Sequence, residues 1–171
     1  GETGILDIRE EAITAVGDGT RVTNSGSIFV WNSPTSIGIQ STGDNGRIVN
    51  DGFLKAYVGF ELHGGTGNVI VNSGLLAGYP STTGVIIDSA TGEENRFVNS
   101  SVMRVSAGVD GGAGNETVVN KGKIAGKVDL GMATIRSSTG ERSEAMCLSE
   151  SAMTTSSCAA RRFSPASMPE P

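Results

Sequence analysis

Apolar residues in this chain come in short runs, and five of the runs close on the same polar corner. The phrases are Val22-Thr23-Asn24-Ser25-Gly26-Ser27-Ile28, Ile48-Val49-Asn50-Asp51-Gly52-Phe53-Leu54, Ile70-Val71-Asn72-Ser73-Gly74-Leu75-Leu76, Phe97-Val98-Asn99-Ser100-Ser101-Val102-Met103 and Val118-Val119-Asn120-Lys121-Gly122-Lys123-Ile124. Their asparagines are 26, 22, 27 and 21 residues apart. Each phrase follows a Gly-rich polar turn: Gly17-Asp18-Gly19, Gly43-Asp44-Asn45-Gly46, Gly65-Thr66-Gly67-Asn68, Gly92-Glu93-Glu94-Asn95 or Gly114-Asn115-Glu116. A variable stretch comes next, then a second β-branched run such as Ile37-Gly38-Ile39, Phe60-Glu61-Leu62, Val85-Ile86-Ile87 or Val128-Asp129-Leu130. Short β-branched runs bounded by turn residues predict strands, and no helical period competes with them. Ile5-Leu6-Asp7-Ile8 and Ala12-Ile13-Thr14-Ala15-Val16 read as a partial first coil.

One strand and its turn cannot bury an apolar face alone; stacked copies can. The repeat therefore predicts an all-β fold, an elongated β-solenoid of five to six coils. At roughly 4.8 Å per strand spacing, the rod would be about 25 Å long. The five asparagines would lie above one another, their amides bonding from coil to coil as they do in cross-β stacks. The Asn-x-Gly corner is expected to use the left-handed backbone region, which Asn tolerates and Gly adopts freely.

Composition supports an open, turn-rich fold. The chain has 171 residues, 37% hydrophobic and 5% aromatic, with 25 Gly and a net charge of −5. Without clustered Lys and Arg, a phosphate-tracking nucleic-acid surface is not expected. No run of 18 apolar residues spans a bilayer as a helix. Gly1-Glu2-Thr3-Gly4 opens without an apolar signal segment, so the chain is expected to be a fragment or a processed piece. Cys147 and Cys158, 11 residues apart, form no metal motif.

Residues 132–171 speak differently. They hold four of the five Met, both Cys and nine Ser, with no Val, Asn or Asp. The expected division is a β-helix over 1–131 and a disordered Ser/Ala-rich tail over 132–171, with no ordered coil past about residue 131. A single-base frameshift near Gly131 would also account for the change. Shifted codons for Met132-Ala133-Thr134-Ile135-Arg136 can encode Asp-Gly-Asn-Asp-Thr, which restores the turn style.

The phrases Val22-Thr23-Asn24-Ser25-Gly26-Ser27-Ile28, Val118-Val119-Asn120-Lys121-Gly122-Lys123-Ile124-Ala125-Gly126 and Lys127-Val128-Asp129-Leu130-Gly131 resemble the Asn-x-Gly-x-Ile phrases of bacterial autotransporter passenger domains. The likeness covers roughly residues 15–131 and rests on pattern and period. It implies a right-handed parallel β-helix, secreted to the bacterial cell surface through a C-terminal outer-membrane barrel, which is expected to be absent here. It also implies adhesive, autoaggregating or other surface roles. Partners would be a host-surface protein or glycan, or another copy.

Candidate chemistry is sparse. Gln40, Glu61, Asp88, Asp110 and Asp129 are expected to stack as an outward acidic column, 10 or 11 residues before the next asparagine where one follows. Such a column would suit a pectinase-like β-helix enzyme, because paired carboxylates hydrolyse glycosides. A solvated acidic face that keeps the rod soluble is the preferred reading, no basic residue is placed beside it, and the chain is not read as an enzyme. The Gly-Asp turns resemble calcium-binding nonapeptide repeats, but they occur once per coil and lose Asp in two of them. His63, the single histidine, is expected exposed in a turn. Trp31 and Tyr57 are expected to mark a sugar- or protein-binding patch, with Trp31 alternatively covering the edge of the core. Gly17-Asp18-Gly19 is too short for a phosphate loop. No catalytic, cofactor-binding or metal residue is assigned. The variable loops expected to carry contacts are 31–36, 55–59 and 77–84.

Overall fold

The computed structural model describes residues 5–8, 11–31, 33–130 and 134–137. Each coil repeats one four-residue strand, an asparagine corner and a second strand that is longer from the Asn50 corner onward. The short strands form one parallel sheet: β3 (Arg21–Asn24), β6 (Arg47–Asn50), β8 (Val69–Asn72), β10 (Arg96–Asn99), β12 (Thr117–Asn120) and β14 (Thr134–Ser137). The other strands form the second sheet: β1 (Ile5–Ile8), β4 (Ser27–Val30), β7 (Phe53–His63), β9 (Leu75–Asp88), β11 (Val102–Gly111) and β13 (Lys123–Asp129), longer from β7 onward. β2 (Glu11–Val16) and β5 (Ile37–Thr42) stack on the second half of β7. The result is an all-β parallel solenoid of about five turns.

Strand alternation sends one face of each run inward. In the short sheet Ile48, Ile70, Phe97 and Val118 are buried in register. Opposite them, Ile28, Leu54, Leu76 and Met103 form one buried column, and Ile39, Phe60, Val85, Val109 and Val128 another. Each column repeats one apolar side chain per coil, so no coil encloses a core without its neighbours.

The asparagine corners stack as the repeat predicts. Asn24, Asn50, Asn72, Asn99 and Asn120 pair in register. Nδ2 of each donates to Oδ1 of the next, at 2.7, 2.8, 2.9 and 2.9 Å. Within the corner, Oδ1 also accepts the N–H two residues on, at Gly26, Ser101 and Gly122.

The corner glycines have a different cause from the one expected. Gly52, Gly74 and Gly122 do not adopt the left-handed region, and non-Gly positive φ falls, among the described residues, at Asn45 and Ser81. A Cβ on Gly52 or Gly74 would instead strike the carbonyl oxygen of the preceding corner, Gly26 or Gly52, and on Gly122 that of Ser101. Backbone crowding between coils selects glycine here, not turn geometry.

Two of the three expected loops are strand. Residues 55–59 lie within β7, and 77–84 within β9. The extra length of β9 is taken up locally: Gly78 pairs with Ala56 and Thr83 with Val58, so residues 79–82 bulge opposite Tyr57. Pro80 falls in that bulge, where its missing N–H breaks no ladder. Between β4 and β5 the chain does leave the sheet, turning where Ser36 N–H bonds the Ser33 carbonyl at 3.0 Å.

One further strand lies past residue 131. The backbone of β14 pairs with β12 from Thr117↔Thr134 to Asn120↔Ser137. The rest of the tail expected over 132–171, with both cysteines, lies outside the described residues.

Candidate functional site: the outer face of the long-strand sheet

The outward face of the long-strand sheet and the residue just after β4 carry five of the chain's eight aromatic residues: Phe29, Trp31, Phe53, Tyr57 and Tyr79. Phe29 and Phe53 lie in adjacent coils with ring centroids 5.2 Å apart, tilted 50°. Tyr57 and Tyr79 stack at 4.7 Å and 21°, the β9 bulge delivering Tyr79 onto its neighbour. Lys55 Nζ sits 4.4 Å from the Tyr79 ring centre, a cation–π contact. The Trp31 indole N–H donates to Asp7 Oδ1 at 2.7 Å, leaving the ring 43% exposed at the start of the 31–36 loop.

The register ties these groups together. Asp7 pairs with Phe29, Phe29 with Lys55, Lys55 with Ala77, and Ala77's neighbour is Arg104. One outward column thus runs acid, aromatic, base, small, base, with the tyrosine stack beside it. Burial pushes the Tyr79 phenol up, and the neighbouring Tyr57 and Asp7 add in the same direction. Phe29 and Phe53 escaped the sequence reading because strand alternation alone does not say which face of a β4 or β7 residue is outward.

The acidic column is broken and one member is misplaced. Gln40 pairs with Glu61, and Gln40 Nε2 donates to Glu61 Oε2 at 2.9 Å. The next residue in that column is Ile86, followed by Asp110 and Asp129. Asp88 stands two places along, paired with His63, whose Nδ1 lies 3.3 Å from Asp88 Oδ2. The cause is turn length. Five residues, 64–68, link β7 to β8, whereas seven, 89–95, link β9 to β10. Counting back a fixed interval from Asn99 therefore lands two residues late. The column also has a basic neighbour after all: Lys127 Nζ is 2.7 Å from Asp129 Oδ2.

His63 is exposed at the end of β7. The acids of the Gly-Asp turns serve the backbone. Asp18 Oδ1 accepts Asp44 N–H, Asp44 Oδ1 accepts Thr66 N–H, and Thr66 Oγ1 accepts Glu94 N–H, at 2.9, 2.9 and 3.0 Å. Glu93 caps Gly65 and Ala90 N–H groups. Among the described residues no group of three or more His, Cys, Asp and Glu side chains gathers as a metal site. No protein-family model, curated protein or solved structure matches the chain.

Proposed function

We propose that this chain is a structural and adhesive stalk segment of a secreted surface protein of the autotransporter passenger kind. A solenoid whose coils interlock through a buried amide ladder suits a stiff spacer. What carries the adhesive part is the aromatic cluster of Phe29, Trp31, Phe53, Tyr57 and Tyr79 on an outward sheet face. The exposed Trp31 ring and four half-buried rings beside Asp7, Lys55 and Arg104 combine apolar area with polar handles, as contact residues do. The partner is a host-surface glycan or protein, or a second copy of the chain. Attachment to the outer membrane would belong to a barrel elsewhere in the parent protein.

The role is presentation and not catalysis. Ile86 separates the Gln40–Glu61 pair from Asp110 and Asp129, which weakens the support for a pectinase-like enzyme.

The test has two parts. Antibodies raised against the chain should label intact cells of the source organism; labelling only after lysis would sink the surface assignment. The purified chain should bind host cells or a glycan array, and a Trp31→Ala, Tyr57→Ala, Tyr79→Ala variant that keeps its β circular dichroism should bind at least tenfold less. Equal binding by both proteins would remove the aromatic face from the account.

A further inference from the structure

The chain holds 18 acidic residues against 13 basic ones, yet one part of its surface excludes acids altogether. Residues 27–31, 53–57, 75–79, 102–106 and 123–127 lie one above another in successive coils and contain no Asp or Glu. They do contain four bases, Lys55, Arg104, Lys123 and Lys127. Scattered in the sequence, the four are gathered by the winding onto one face. Leu54, Met103 and Val128 point into the core, so by strand alternation Lys55, Arg104 and Lys127 point out. Arg104, Lys123 and Lys127 are exposed, and Lys55 is half-buried.

The register sets their spacing. Lys55 pairs with Ala77, and Ala77 with Arg104. Two strand spacings, about 10 Å, therefore separate the two bases. Only the methyl group of Ala77 stands between them, and Leu75 extends that apolar floor on the same side of β9. On β11, Val102 stands on the same side as Arg104 and pairs with Lys123 in the next coil. A row of three bases thus follows the rod across low apolar ground.

The fold leaves most of this charge unanswered. Lys127 has a carboxylate, Asp129, at 2.7 Å. Lys55 Nζ rests 4.4 Å from the Tyr79 ring centre, a contact that holds the ammonium without neutralising it. Among the described residues, Arg104 and Lys123 enter no hydrogen bond or ion pair. An anion laid between such bases gains from each of them and relieves their mutual repulsion.

We propose that this face is a track for an acidic polysaccharide lying along the coils. Its carboxylate or sulfate groups meet Lys55, Arg104 and Lys123, and its sugar rings lie on the floor of Leu75 and Ala77 beside Tyr79. The inference rests on the adhesive reading above and narrows its partner to an anionic glycan. Charge selects the sign of the partner, and the apolar floor between the bases selects sugar rings between its charges. A single-stranded nucleic acid fits less well. It would call for a denser row of bases and for open ring faces, whereas Tyr57 and Tyr79 stack on each other.

The full chain is immobilised and titrated with dextran sulfate, hyaluronate and uncharged dextran, which separate sulfate, carboxylate and bare sugar. At least one charged polymer should bind and dextran should not. The affinity should fall at least tenfold from roughly 20 to 150 mM salt. A Lys55→Gln, Arg104→Gln variant with unchanged circular dichroism should bind at least tenfold less, while Lys127→Gln, whose base is already paired, should bind within about twofold of wild type. No binding of either charged polymer, equal binding of dextran, or undiminished binding by the double variant overturns the track. So does tighter binding of single-stranded DNA than of either polysaccharide. If the charged polymers fail while host cells or neutral glycans still bind and the Trp31, Tyr57 and Tyr79 variant loses that binding, the adhesive reading stands without the acidic partner.

Discussion

Asn72 donates its side-chain amide to Asn99 Oδ1 at 2.9 Å and accepts from Asn50 at 2.8 Å, and all three residues are 0% exposed. The direction never reverses between Asn24 and Asn120, so each interior amide is both donor and acceptor in one line. Such chains polarise along their length. Removing an interior link strands a buried donor on one side and an acceptor on the other, and an unsatisfied buried group costs about 1–3 kcal/mol. Asn72→Ala should therefore lower stability by about 2–4 kcal/mol in urea titrations. Asn24→Ala, at the end of the line, should cost about 1–2 kcal/mol. Equal losses at the two positions would mean that the amides act independently.

Two glycines should fail for two reasons. At Gly59 a Cβ would lie 2.5 Å from the Gly84 carbonyl oxygen and 2.7 Å from Leu76 Cδ1. Gly59→Ala pushes on backbone and core together and should cost about 2–3 kcal/mol. At Gly17 nothing lies within 4 Å of the added methyl, but φ is 108°. Gly17→Ala should cost about 1 kcal/mol through backbone strain alone. Denaturant midpoints of the two variants check the order, and a milder loss at Gly59 than at Gly17 would contradict the packing described.

Tyr79 gives the chain a pH dependence at the alkaline end. Desolvation, then Tyr57 and Asp7, raise its pKa above the usual 10.0. The folded chain thus holds this proton more tightly than the unfolded one. The contribution is whole below pH 10 and is lost as pH climbs through the higher folded value. Tm should fall above pH 10 in the wild type and fall less steeply in Tyr79→Phe. Parallel melting curves for the two proteins from pH 9 to 11.5 would show that Tyr79 contributes nothing.

The fold was legible in the sequence because one residue per coil has no substitute. Asn24, Asn50, Asn72, Asn99 and Asn120 need an amide that both gives and accepts, so the repeat announces itself even where Ser101 replaces the corner glycine. A second marker, Gly38, Gly59, Gly84 and Gly108, was equally written in the chain, each just before an inward Ile, Phe or Val. It went unread because glycine abounds in turns, whereas here its bareness admits Leu54, Leu76, Met103 and Ile124 from the following coil. The acidic column was legible only in part. Residue counting holds while turns keep their length, and the two additional residues of the 89–95 turn moved Asp88 beside His63. The tyrosine stack was out of reach, since a bulge in β9 places Tyr79 on Tyr57 and no periodicity marks a bulge.

Coil stacking itself is measured most directly by the distance between two outward labels on the short-strand sheet. Arg21 and Thr117 are joined by four successive in-register pairings, through Arg47, Val69 and Arg96. Spin labels at Arg21→Cys and Thr117→Cys, with Cys147 and Cys158 replaced by serine, should give a narrow electron–electron distance distribution centred near 19 Å, four strand spacings of about 4.8 Å. A centre beyond about 30 Å, or a distribution as broad as that of the same protein in denaturant, would contradict the stacked solenoid.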